Sequence, residues 1–71
     1  MDVMEAWDIK RLRQKKISEL ELKRQQLNEA LKNNDYNSYK INLGLCRNLS
    51  ATINELTELY EQAIDKEVRG W

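Results

Sequence analysis

Residues 32–38 read Lys-Asn-Asn-Asp-Tyr-Asn-Ser, and they are the one clear interruption in a chain that is otherwise patterned as helix. Asn and Asp tolerate turn geometry and cap helices, because their short side chains bond to nearby backbone groups. Lys32 falls in the last turn of whatever precedes, where a cation complements the helix dipole. Asn34 or Asp35 can accept a backbone N–H from the first turn of whatever follows. The reading is a first helix over about residues 3–32, a turn at 33–35 and a second helix over about 36–69, each about 45–50 Å long. So short a loop makes the helices antiparallel neighbours. The expected fold is all-α: one domain over residues 1–71, an antiparallel two-helix hairpin of coiled-coil type.

Composition agrees. Proline is absent and glycine occurs twice in 71 residues, so little breaks a helix. Charged residues make up 34% of the chain, as suits long solvated helices, while 41% hydrophobic residues at zero net charge are too many for a disordered chain.

The second helix carries a heptad repeat. With Tyr39 at position a, the a positions are Tyr39, Cys46, Ile53 and Tyr60, and the d positions are Asn42, Leu49, Leu56 and Ala63. Leu43 and Ile64 fall at e, Leu45 and Leu59 at g. Apolar e and g positions widen the stripe beyond what one partner helix covers, so the hairpin is expected to self-associate into a bundle or ring. The residues expected to form that interface are Leu43, Leu45, Leu49, Ile53, Leu56, Leu59 and Tyr60. On the first helix, Ile9, Leu12, Lys16 or Ile17, Leu20, Arg24, Leu27 and Leu31 line one face, with a local spacing nearer 3.67 than 3.5 residues. Leu22 falls off that face, either as a lone exposed leucine or as part of a second contact surface. Gly44, in mid-helix, is either a surface glycine or a point of close backbone approach.

Size and chemistry narrow the function. A core this small rarely supplies more than about 3–5 kcal/mol. One cysteine allows no internal disulfide, and without histidine the chain offers no zinc set. Oligomerisation or partner binding is therefore the expected source of further stability. Cys46 is the sole nucleophile candidate, and at an a position it reads as a small buried hydrophobe. No catalytic, cofactor-binding or metal site is expected, and the protein is read as a non-enzyme. No apolar run approaches a membrane span, and the N-terminus lacks the apolar core of a signal peptide, so a cytoplasmic protein without membrane contact is expected.

The segment Lys10-Arg11-Leu12-Arg13-Gln14-Lys15-Lys16 is strongly basic. In a hairpin turning near residues 34–35 it lies level with the region of Glu55, Glu58, Glu61, Asp65 and Glu67, so pairing of the two runs across the hairpin is expected to fix register. Phosphate contact through Arg11, Arg13 and Lys15 is the alternative, and the lack of interleaved aromatics counts against it. Nucleic acid is thus not an expected partner on this reading. Val3, Met4, Trp7 and Trp71, with Val68, gather at the open end, either as a plug or as a docking patch for another protein.

The text NNDYNSYKINLGLCRNLSATINELTEL, residues 33–59, resembles the oligomerising helical segment of phage terminase small subunits. The resemblance rests on Asp35, Tyr36, Tyr39, Leu49, Ile53 and Leu56. It implies helical hairpins that assemble into a ring. The DNA-reading helix-turn-helix of that family is not expected within these 71 residues, so only the ring-forming part would carry over. The Ser-x-Glu-Leu-Asp motif of the short helical-hairpin phosphatases of sporulation signalling is not matched by Leu49-Ser50-Ala51-Thr52-Ile53. The expected function is non-enzymatic assembly through the stripe of helix 2, in a protein suited to a phage or mobile element. The alternatives are a small inhibitor or adaptor that binds a host enzyme or regulator and, more weakly, nucleic-acid binding through residues 10–16.

Overall fold

The computed structural model describes residues 5–70 and contains two helices, α1 (Ala6–Lys32) and α2 (Tyr36–Arg69), packed against each other as a hairpin. The turn works through two consecutive residues, Asn34 and Asp35. Asn34 adopts the left-handed conformation at φ 55, which asparagine reaches more readily than most residues. That bend lets the Asn34 N–H reach the Leu31 carbonyl at 3.3 Å and the Asp35 N–H reach the Ala30 carbonyl at 2.9 Å. The pair of bonds satisfies carbonyls that the end of α1 would otherwise leave open. Asp35 then caps α2: its carboxylate accepts the Ser38 N–H at 3.2 Å and the Ser38 hydroxyl at 2.7 Å. Of the two cap candidates, Asp35 takes that role and Asn34 supplies the bend.

At the other end, α1 begins at Ala6 rather than near residue 3, because Glu5 is extended at φ −74, ψ 156. No side-chain cap comes from Glu5 itself. Instead Glu67 of α2 reaches across, its Oε1 accepting the Ala6 N–H at 3.3 Å. One of the open donors of the first turn is thus satisfied by the opposite helix.

All eight a and d residues of α2 are shielded: Cys46 and Leu56 are buried, and Tyr39, Asn42, Leu49, Ile53, Tyr60 and Ala63 are half-buried. Asn42, the polar member, turns its amide back to the Ser38 carbonyl at 2.9 Å. The matching seam of α1 is Ala6, Ile9, Arg13, Lys16, Leu20, Lys23, Leu27 and Ala30, each buried or half-buried. Its steps alternate between three and four, the 3.5-residue repeat of a two-helix seam, not the longer spacing expected. Arg24 and Leu31 leave the face accordingly: Arg24 is exposed and Leu31 is 54% exposed, while Lys23 and Ala30 take the inward positions. Arg13, Lys16 and Lys23 can occupy seam positions because their alkyl stems pack while their charged ends reach water.

The hairpin is a rod of 55 × 20 × 14 Å with a radius of gyration of 16.2 Å. A compact chain of this length would have about 11 Å. Among the described residues no helix is long and apolar enough to cross a membrane.

Candidate interaction surface

The two helices cover their a and d residues mutually and leave two lateral flanks. One flank carries the g positions with the neighbouring c positions. There Leu45 is 39% exposed, Leu59 48%, Ile41 65% and Leu22 53%, beside half-buried Leu12. The other flank carries the e positions, with Leu31, Tyr36 and Ile64 exposed and Ile17 and Leu43 half-buried. Of the seven residues expected at an oligomer interface, Leu56 is buried inside the hairpin and Leu43, Leu49, Ile53 and Tyr60 are partly shielded by it. Leu45 and Leu59 are the two that remain exposed, at 39% and 48%. Ile41 belongs with them and was missed in the sequence, because at a c position it lies outside the usual seam. Leu22, ambiguous in the sequence, falls on the same flank.

The charges are arranged differently from expectation. The basic run does not form ion pairs with the acidic run across the hairpin: among the described residues the ion pairs are Lys16–Glu19 at 3.6 Å and Asp65–Arg69 at 3.1 Å, both within one helix. Arg13 crosses the hairpin, but to a hydroxyl: its Nε donates to Thr57 Oγ1 at 2.8 Å. The Thr57 hydroxyl donates in turn to the Ile53 carbonyl at 2.9 Å. Lys10 lies over the Trp7 ring, 5.5 Å from its centroid. The physical reason is phase. Arg11 and Lys15 fall at f and c of α1, Glu55 and Glu58 at c and f of α2, and these positions point away from the seam. All four are exposed. Of the three residues considered for phosphate contact, Arg13 is therefore engaged and Arg11 and Lys15 are open.

Among the described residues, shallow hollows mark the surface at two places of note. One, of about 190 Å³, lies on the g flank and is lined by Asp8, Arg11, Leu12 and Lys15. The other, of about 330 Å³, lies at the turn between Ala30, Leu31, Asn34, Asp35, Tyr36 and Tyr39. Beside it the Tyr36 and Tyr39 rings stack at 6.4 Å, and Lys40 sits 5.6 Å from the Tyr36 centroid.

At the open end, Trp7 is 64% and Val68 is 67% exposed. Val3, Met4 and Trp71, expected there too, lie outside the described residues. Cys46 is a buried free thiol in the seam. No protein-family model, curated protein or solved structure matches the chain.

Proposed function

We propose that this chain is a non-enzymatic assembly protein that self-associates through the g flank of its hairpin. The observation that carries the reading is the row Ile41, Leu45 and Leu59, exposed on a helix whose seam is already occupied by α1. Scattered exposed leucines are ordinary, but a row of them along one flank of a thin rod is a surface suited to another chain. Total exposed area supports this. The chain exposes 6037 Å², whereas a compact monomer of its mass would expose about 4,650 Å². The excess, about 1,400 Å², is larger than the roughly 800 Å² that each partner buries in a standard interface. A ring, as the resemblance to terminase small subunits suggests, and a dimeric four-helix bundle both use such a surface.

Molar mass by light scattering after size exclusion, over a wide concentration range, tests the proposal. An oligomeric mass that dissociates only on dilution is the expected result. A folded monomer at every concentration would refute it and favour an adaptor or inhibitor that docks on a different protein, with exposed Trp7 as the first residue to examine.

A further inference from the structure

The charges that the hairpin leaves unused bear on how a second copy would sit. The basic run of α1, Lys10, Arg11, Arg13, Lys15 and Lys16, lies in its first half, whereas the second half mixes Lys23, Arg24 and Lys32 with Glu21 and Glu29. The acids of α2 all lie from Glu55 onward, and between Tyr36 and Asn54 that helix carries only the cations Lys40 and Arg47. The Arg13–Thr57 bond sets these two halves at one level, near the open end of the rod. A second copy with its open end at the same end therefore brings an acidic helix half to the basic one. A copy turned end over end sets α1 on α1 and α2 on α2, so the basic run meets the charge-balanced second half of α1, with Glu21, Lys23 and Arg24, and the acids of α2 meet only Lys40 and Arg47, a poorer match.

We infer that the second copy packs flank to flank with both turns at the same end, related by a two-fold axis along the rod, so that Leu12 of each copy meets Leu59 of the other and Lys15 meets Glu55. This deepens the self-association reading and rests on it. In this arrangement each α1 lies antiparallel against α2 of the other copy, the geometry of a four-helix bundle. Leu12 and Leu59 share one level and Leu22 and Leu45 lie near a second, so two apolar levels are matched, and a two-fold pairing is self-complementary as such contacts require. The hollow beside Leu12, rimmed by Arg11 and Lys15, is placed to take Leu59 with Glu55 and Glu58 nearby. Lys15 and Glu55 stand on the outer sides of their own hairpin, so the pair forms between copies and not within one.

The test is the distance between two spin labels, one per copy, on Asn37→Cys in a Cys46→Ala background, measured by pulsed electron resonance. Turns at the same end predict about 20–30 Å; turns at opposite ends predict about 45 Å or more. Light scattering on the same sample separates the failures. A monomer overturns self-association and this inference together, whereas an oligomer with only the long distance overturns the inference alone. Charge exchange with Cys46 intact gives a second readout. Lys15→Glu is expected to weaken association about tenfold at low salt, and Lys15→Glu with Glu55→Lys to restore it. A double variant as weak as the single one would overturn the pairing.

Discussion

Replacing Leu45 and Leu59 together by glutamine separates association from folding. Glutamine keeps leucine's length and nearly its helix propensity, so the helix itself loses little. Leu45 and Leu59 remain 39% and 48% exposed in the single hairpin, so roughly half of each side chain's burial energy is still available to a second copy. Full burial of a leucine contributes about 1.5–3 kcal/mol. The remaining part is then about 1 kcal/mol per residue, or at most about 4 kcal/mol over two residues in each of two copies. Partial burial at a flank would give about 2 kcal/mol. The expected rise in Kd is therefore about thirty-fold to several-hundred-fold. Sedimentation velocity across a concentration series reads the Kd, and circular dichroism reads the helix content. An unchanged Kd at full helicity would refute the flank as the interface. Loss of helicity would place the two leucines in the hairpin's own stability, contrary to their exposure.

Three further changes probe the hairpin. Leu56→Ala removes a side chain that is 7% exposed in the seam. It should cost about 2–5 kcal/mol, comparable with all that so small a core supplies, so the cooperative melt seen by circular dichroism should weaken or vanish; an unchanged melting temperature would count against the seam. Gly44→Ala should raise the melting temperature, because a Cβ there meets nothing within 4 Å and alanine gains about 1 kcal/mol over glycine in mid-helix; a lower melting temperature or weaker oligomer would show close approach of a second chain at that point. Asp35 has its pKa lowered below 3.8, first by the hydrogen bond from the Ser38 hydroxyl and then by that from the Ser38 N–H. Its contribution is thus fully present above about pH 4 and is lost as pH falls through the lower folded value. Asp35→Ala should lower the melting temperature at neutral pH and match the unaltered protein in strong acid; equal melting temperatures at neutral pH would contradict the cap.

Much of the architecture is local and was legible in the sequence for that reason. The end of α1 at Lys32 and the span of α2 follow from Asn34 and Asp35, whose backbone and side-chain bonds reach no further than Ala30 on one side and Tyr39 on the other. The seam of α2 was equally plain, since seven of its eight a and d residues are apolar or aromatic and mark the repeat by themselves. The seam of α1 was not. Arg13, Lys16 and Lys23 occupy it with their stems, and Ala6 and Ala30 are too small to stand out among leucines. Leu31, the more hydrophobic neighbour, drew the expected face one residue too far. Hydrophobicity reports what a residue can bury; the phase of α1 is chosen by which of its rows fits against α2. That phase also turns Arg11 and Lys15 outward and leaves the basic and acidic runs apart at the same level. The turn and the apolar repeat of α2 were determined by the sequence alone. Which side of α1 faces inward, and hence which leucines and charges stay open to a second chain, was decided only by packing, because long side chains can lie along a seam or leave it at little difference in energy until a neighbour fills the space.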